Sequence, residues 1–526
     1  MSDLNTTRPS RVPRWPWVLL ALAMSWSALI RVPLILNSAH HLDSDLAVDG
    51  LTLLEATKGH VPWHYPGTPY MGAATACLSL PQALIWGANP TTLVSGGTLA
   101  YLGLLPAVFL LGWRGFGPVA AVFALVPLTF ASNGAVWLSG RITGGHLAAA
   151  VFHAGLFFGF AALLKSSHPS RRGALALGLW SGFGLYLDSM LALSLLGFGM
   201  AVSLAWLVTP GKRRGLLLAM VYASGFAAGV APREIGARLD PYSAYDAQFQ
   251  LVTDQDVLIE HANRLGLDCL PRLFSGHRLP GLETEPDPRS LAGRGTSRSR
   301  SQVEPLGVAV SALALSLVLA SFGALCFHLT KEEWPVALGL LISTLATLAA
   351  FVTNRNIFNS DNYRYLVTLL VPASAGFGLL MRGLWSWRWK GKAFAVIVSA
   401  LFAVLMTADL VRWYHQFGWV NDQGVAVKVA ADDPTLAWLD AHPEIDRISG
   451  GYWDVYRLIF LSGGRLKGSP YPIYPDRFPS WKRLPGEREV LIARPSPEAK
   501  IFVDRALAGG GKVIQRNRGI TILTSP

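Results

Sequence analysis

Residues 40–72 read HHLDSDLAVDGLTLLEATKGHVPWHYPGTPYMG. The stretch is more polar and more patterned than a connector between apolar runs requires. Asp43 or Ser44 can cap a helix that begins near Asp45 and ends near Lys58-Gly59. At 100° per residue, Asp45, Asp49 and Thr52 share one stripe, with Leu46, Leu51, Leu53 and Leu54 opposite. The pattern predicts a helix lying flat on a membrane, apolar face in the bilayer and acidic face upward. Asp45 falls in its first turn, where free N–H groups and the helix dipole favour a carboxylate. The run Trp63-His64-Tyr65-Pro66-Gly67-Thr68-Pro69-Tyr70 follows. Interfacial belts contain such aromatics, and this cluster also suits one wall of a sugar-sized pocket.

The surrounding chain is a membrane protein by composition. It has 526 residues, 51% hydrophobic and 15% charged, against about 25% charged in soluble globular chains. Mean hydropathy is +0.36. These values exclude a soluble enzyme, a disordered chain and a disulfide scaffold. The net charge of +12 does not point to nucleic acid, because short basic clusters alternate with apolar runs as topology signals do. Cys77, Cys269 and Cys326 are too scattered for a disulfide framework or a metal motif.

Apolar runs predict spans at about 17–36, 91–112, 117–137, 146–164, 173–187, 190–208, 215–231, 305–329, 334–352, 364–382 and 393–411, about eleven in all. Arg8, Arg11 and Arg14 precede the first and set the N-terminus in the cytoplasm. The first run is too long for a cleaved signal. Loops Lys165–Arg172, Lys212–Arg214 and Arg382–Lys392 are short and basic, hence cytoplasmic. That parity holds only if 70–88, with Pro81 at its middle, lies on the outer surface without crossing.

Four parts then face outward: 37–90, Ser139–Gly145, the long loop 232–304 and everything after about Arg412. The long loop carries RGTSRSRSQ (294–302), read as disordered. The expected division is a transmembrane domain over 1–429 and a small outer α/β domain over 430–526. In the latter, ISGGYWDVY and EVLIARP read as strand-centred, SPEAKIFVDRALAGGGK as a helix ending in glycine, and VIQRNRGITILT as a hairpin.

The stretch DSDLAVDGLTLLEATKGHVPWHYPGTPYMG resembles the first periplasmic loop of bacterial integral-membrane glycosyltransferases of the GT-C fold, similar to protein O-mannosyltransferases and lipid A aminoarabinose transferases. Weaker resemblance extends to Arg141-Ile-Thr-Gly-Gly-His146, Tyr363-Arg364-Tyr365-Leu366 and the outer C-terminal domain. It implies a mainly α GT-C fold in a bacterial inner membrane, with its active site outside. It also implies transfer of a sugar from a polyprenyl phosphate to an acceptor hydroxyl, with inversion, where the acceptor is a glycan, lipid or protein. Asp45 aligns with the family's catalytic aspartate, although Leu46 stands where the family commonly has a second acid.

Such transfer needs a general base for the acceptor proton and cationic stabilisation of the leaving phosphate. Asp45 fits the base. Asp43, Asp49, Tyr70, Arg141, His146 and Arg364 are the candidate substrate-binding residues, with Arg355 and Arg31 as further phosphate candidates. Asp188 is either a helix-end cap or a substrate contact. A divalent metal is a possible cofactor, but His64 and His146 lack ligand spacing. Two other classes stay open. A transporter or flippase would carry ionisable groups near the bilayer midplane, where this chain is nearly charge-free. A non-catalytic scaffold would need no base at all.

Overall fold

The computed structural model of the protein describes residues 14–141, 145–166, 168–208, 212–244, 249–279, 305–431, 433–481, 483–517 and 520–524. Segment 294–302 and residues 142–144 of the second outer loop lie outside the described residues.

Nine helices among the described residues are long and apolar enough to cross a membrane. They are Trp15–Leu36, Pro90–Phe116, His146–Leu164, Leu191–Val208, Gly215–Leu239, Pro305–Thr330, Trp334–Thr353, Ser360–Trp385 and Trp389–Gln416. The run expected at 173–187 is the helix Arg171–Leu187, whose 17 residues sit at the lower limit for a crossing. The run expected at 117–137 is not straight. Pro118–Thr129 and Asn133–Ser139 meet at 84°. Ser132 causes the restart, its side chain accepting from the Ala135 N–H to cap a new helix. Residues 70–88 hold only the end of a strand and two short helices, Ala74–Cys77 and Leu80–Trp86. Neither is long enough to cross.

The segment after the first span folds as expected in outline. Asp43 caps the surface helix Ser44–Thr57, and a small hairpin follows, β1 His64–Tyr65 with β2 Thr68–Gly72. Residues 433–524 form a five-stranded sheet. Its strands are β3 Arg447–Gly450, β4 Lys467–Pro470, β5 Glu489–Ala493, β6 Val513–Asn517 and β7 Ile520–Thr524, in spatial order β4-β3-β5-β7-β6. β3 runs parallel to β4 and β5, while β7 is antiparallel to β5 and β6. ISGGYWDVY is only partly a strand, because β3 ends at Gly450 and the helix Tyr452–Leu461 takes over.

That helix overturns one expectation. The apolar residues of Ser44–Thr57 do not face lipid. Leu46, Val48, Leu51 and Leu53 share one core with Val455, Ile459 and Phe460, and with Ile448, Val490 and Ile492 of the sheet. The polar stripe is covered too, Asp49 and Thr52 each being 1% exposed. The surface helix is therefore enclosed between the membrane helices and the C-terminal unit. Gly50 sets the approach, since a Cβ there would lie 2.6 Å from the Phe460 ring. Gly50→Val is expected to cost about 1–3 kcal/mol by overpacking. It should lower the melting temperature in detergent and speed proteolytic release of the C-terminal unit. An unchanged melting temperature and digestion pattern would refute tight docking.

The described part of the long loop is structured. Helices Gln255–Arg264 and Leu270–Ser275 flank a π-helical turn, Leu265–Cys269. Cys269 and Leu273 enter the main membrane-domain core.

Candidate active site

The surface helix begins at the site. The Asp43 carboxylate accepts from the Leu46 N–H at 2.9 Å, which directs Asp45 outward in the first turn, its side chain 14% exposed. Asp45 Oδ1 accepts from the Tyr452 hydroxyl at 2.8 Å, and Oδ2 lies 3.5 Å from Arg364 Nη1. The Tyr65 hydroxyl donates to the Asp45 carbonyl at 2.9 Å. The second oxygen of Asp43 pairs with Arg141 Nη2, and Arg141 Nη1 reaches Asp361 at 3.5 Å. Three ion pairs thus join the start of the surface helix to the 3-10 turn Ser360–Leu369 that carries Asp361 and Arg364, one directly and two through Arg141. Arg141 is the better buried cation and lies over the Trp137 ring. Beside it, burial holds the His41 imidazole down to about 4, so His41 is neutral near Arg141 at physiological pH.

Removing Arg141 would leave two half-buried carboxylates without their shared cation. Arg141→Met is expected to cost about 2–3 kcal/mol, below the figure for fully buried pairs because both acids keep some solvent. The loss should appear as a lower melting temperature, and an unchanged one would refute the brace.

Arg364 sits on a rigid turn. Asn359 caps it, and the Asn362 side chain accepts from the N–H groups of Phe358 and Asn359. The Tyr363 hydroxyl donates to the Gly134 carbonyl. Beneath it, Asp268 accepts from Ser360, Arg272 and Arg278. Arg364 Nε is buried and lacks a hydrogen-bond partner among the described residues, the guanidinium lies 5.4 Å from the centre of the Tyr365 ring, and the side chain as a whole keeps 19% exposure. Next in the chain, Tyr365 meets the His146 ring edge-on at 5.0 Å. His146 Nδ1 bonds the fully buried Asp188 carboxylate at 2.6 Å, whose other oxygen caps the Met190 N–H. Asp188 is thus both a cap and the partner that orients His146.

Asp43, Asp45, Arg141, His146 and Arg364 come together as one group of contacts. Asp49 is buried one turn further on, and its charge adds to the burial that raises the Tyr65 phenol well above its ordinary range. Tyr70 lies on β2 against the shared core, its carbonyl accepting from Ser189. Two phosphate candidates fall outside the group. Arg31 is fully enclosed, bonded to Ser139 and the Ser27 carbonyl and stacked 3.7 Å above Tyr101. Arg355 is exposed, and no contact among the described residues joins it to Asp45. His64 bonds the Asp240 carbonyl. No group of three or more His, Cys, Asp or Glu suited to a metal ion occurs among the described residues.

Tyr452 and Arg477 escape sequence reading. Both belong to the C-terminal unit, and no local pattern marks them. Arg477 donates through Nε to the Tyr452 hydroxyl at 3.3 Å and through Nη1 to the Pro66 carbonyl at 3.1 Å. Its guanidinium carbon lies 5.4 Å from the centre of the Tyr65 ring.

No protein-family model matches the chain, and no curated protein does. Solved structures match over nearly its full length. ArnT from Cupriavidus metallidurans in the apo state is 12% identical with a TM-score of 0.60, covering 97% of this chain and 98% of that one. The same protein bound to undecaprenyl phosphate gives 14% identity and a TM-score of 0.56 at the same coverage. AglB, the oligosaccharyltransferase of Archaeoglobus fulgidus, in complex with an inhibitory peptide and a dolichol-phosphate, is 11% identical with a TM-score of 0.56. That match covers 91% of this chain and 69% of AglB. At these identities the likeness speaks for the backbone alone. A multi-pass helical bundle, a surface helix clasped by a C-terminal α/β unit, and these full-length matches together give the chain the GT-C fold.

Proposed function

We propose that the protein is a membrane glycosyltransferase that moves a sugar from a polyprenyl-phosphate donor to an acceptor hydroxyl, with inversion, on the outer face of a bacterial inner membrane. The N-terminus is cytoplasmic in this reading and the C-terminal unit extracytoplasmic. The carrying observation is the pairing of Asp45 with Arg364, a partly exposed carboxylate beside a partly exposed arginine. Its setting supports the reading, since a protein of the same fold was solved with undecaprenyl phosphate.

The acceptor oxygen attacks the anomeric carbon from the face opposite the phosphate, and its proton passes to Asp45. The bond from the anomeric carbon to the phosphate oxygen breaks, and that oxygen leaves with the electron pair. Arg364 stabilises the resulting charge with preorganised N–H donors. His146, oriented by Asp188 through Nδ1, borders the same turn edge-on to Tyr365 and lines the donor side of the site. The lipid tail stays in hydrocarbon while the sugar reaches water, which accounts for a site at the outer ends of the spans.

The test is transfer of radiolabelled sugar from a polyprenyl-phosphate donor by the detergent-solubilised protein. Labelled product is expected without any closed compartment, which a transporter cannot yield. Absence of label from every acceptor pool of the source membranes, with protein shown to be folded, would overturn the reading.

A further inference from the structure

We infer that Tyr452, backed by Arg477, is a positioning residue that fixes which oxygen of Asp45 takes the acceptor proton. This rests on Asp45 being the general base. The two carboxylate oxygens are not equivalent. Among the described residues, Oδ1 is occupied by the Tyr452 hydroxyl at 2.8 Å, whereas Oδ2 has only Arg364 at the long distance of 3.5 Å. A base must aim a lone pair at the proton it abstracts. A carboxylate anchored at one oxygen presents the other in one orientation. Tyr452 holds Oδ1 and leaves Oδ2 for the substrate.

The phenol is itself fixed from three sides. Its own backbone carbonyl accepts from Ser44, the residue before Asp45. Its ring is 5% exposed, edge-on to Trp453 and Tyr456. Its oxygen accepts from Arg477 Nε. A cation donating to the phenol oxygen polarises the O–H and strengthens its bond to the carboxylate. Arg477 is in turn positioned by the first outer loop, through the Pro66 carbonyl and the Tyr65 ring. Its own N–H donates to the Tyr456 hydroxyl. The neighbouring Asp476 accepts from Tyr456 through its side chain and from Tyr242 through its carbonyl. The C-terminal unit therefore contributes a hydrogen-bonded chain that runs Arg477, Tyr452, Asp45, in addition to apolar docking.

Tyr452→Phe removes one oxygen and keeps the ring. It is expected to lower kcat about tenfold while changing the KM for donor and acceptor less than about twofold. A hydrogen bond to a carboxylate favours its charged form. Its loss should move the acid limb of the kcat profile upward by about one pH unit. Arg477→Gln should move that limb the same way by less. A docking role alone would lower the melting temperature and leave the limb in place. An unmoved limb with unchanged kcat in Tyr452→Phe overturns the proposal, and should that variant not fold, an unmoved limb in Arg477→Gln does so. Asp45→Asn measured alongside separates the two claims. Its inactivity with an unmoved limb in Tyr452→Phe rejects only the positioning role, whereas near-normal activity of Asp45→Asn rejects the base.

Discussion

Asp45→Asn is expected to abolish sugar transfer while the protein remains inserted and folded. Asn matches Asp in size, and its carbonyl can still accept from the Tyr452 hydroxyl, as Asp45 Oδ1 does at 2.8 Å. A structural Asp45 should tolerate the change, because the cap of the surface helix is Asp43 and not Asp45. The pairing with Arg364 is 3.5 Å long and partly exposed, so its loss alone should cost no more than about 1 kcal/mol of stability. Catalysis is different. An amide accepts no proton near neutral pH, and general-base catalysis contributes typically about 10²–10⁴ in rate. Transfer by the variant should therefore fall by at least about a hundredfold with the melting temperature little changed. Asp43→Asn and Asp49→Asn are the comparisons. Asp43→Asn should keep the cap, since Asn serves there as well as Asp, and cost stability through its Arg141 pair, and Asp49→Asn should act through the buried surroundings of Tyr65. Near-normal transfer by Asp45→Asn would falsify the assignment, and a larger rate loss at either comparison would move the base there.

The surface helix was legible because its signals are local. Asp43 as cap and the apolar spacing from Leu46 to Leu54 mark a helix within two residues of the observed Ser44–Thr57 at either end. What covers that helix was not legible. An amphipathic pattern tells which face is apolar, and lipid or protein satisfies it equally. The cover here is Val455, Ile459 and Phe460, brought back from the far end of the chain. The same limit hid Tyr452 and Arg477, whose roles arise only when that unit lands on Asp45. Basic residues at span ends divide in a similar way. Arg31 and Arg364 look alike in sequence, yet Arg31 is closed off against Tyr101 and Ser139 while Arg364 borders Asp45. The bend between Thr129 and Asn133 was missed because Ser132 reads as a tolerable polar residue in an apolar run. Only the cap it forms on Ala135 breaks the span.

Arg364→Ala is expected to lower kcat/KM about 10²–10³-fold, the range for loss of a preorganised donor to a developing oxyanion. Geometry favours Arg364 over Arg141 for that role. Arg141 is bound between Asp43 and Asp361, and moving it to a phosphate would uncover both acids. Arg364 has only a long contact to one carboxylate, Asp45, with the Tyr365 ring beside it, and its side chain keeps 19% exposure, against 7% for Arg141, among the described residues. The turn that carries it is anchored through Asn362, Tyr363 and Ser360, so the loss should register as altered kinetics and not as unfolding. Both kcat and donor KM should change, since the guanidinium meets the phosphate in the ground state and more strongly as charge develops. Acceptor KM should not. Arg364→Lys keeps the charge but presents a point cation in place of a planar fork, so it should recover part of the rate. Unchanged donor kinetics in Arg364→Ala would assign the phosphate to Arg141 or His146. Full recovery in Arg364→Lys would show that charge alone matters at this position and that the planar fork does not.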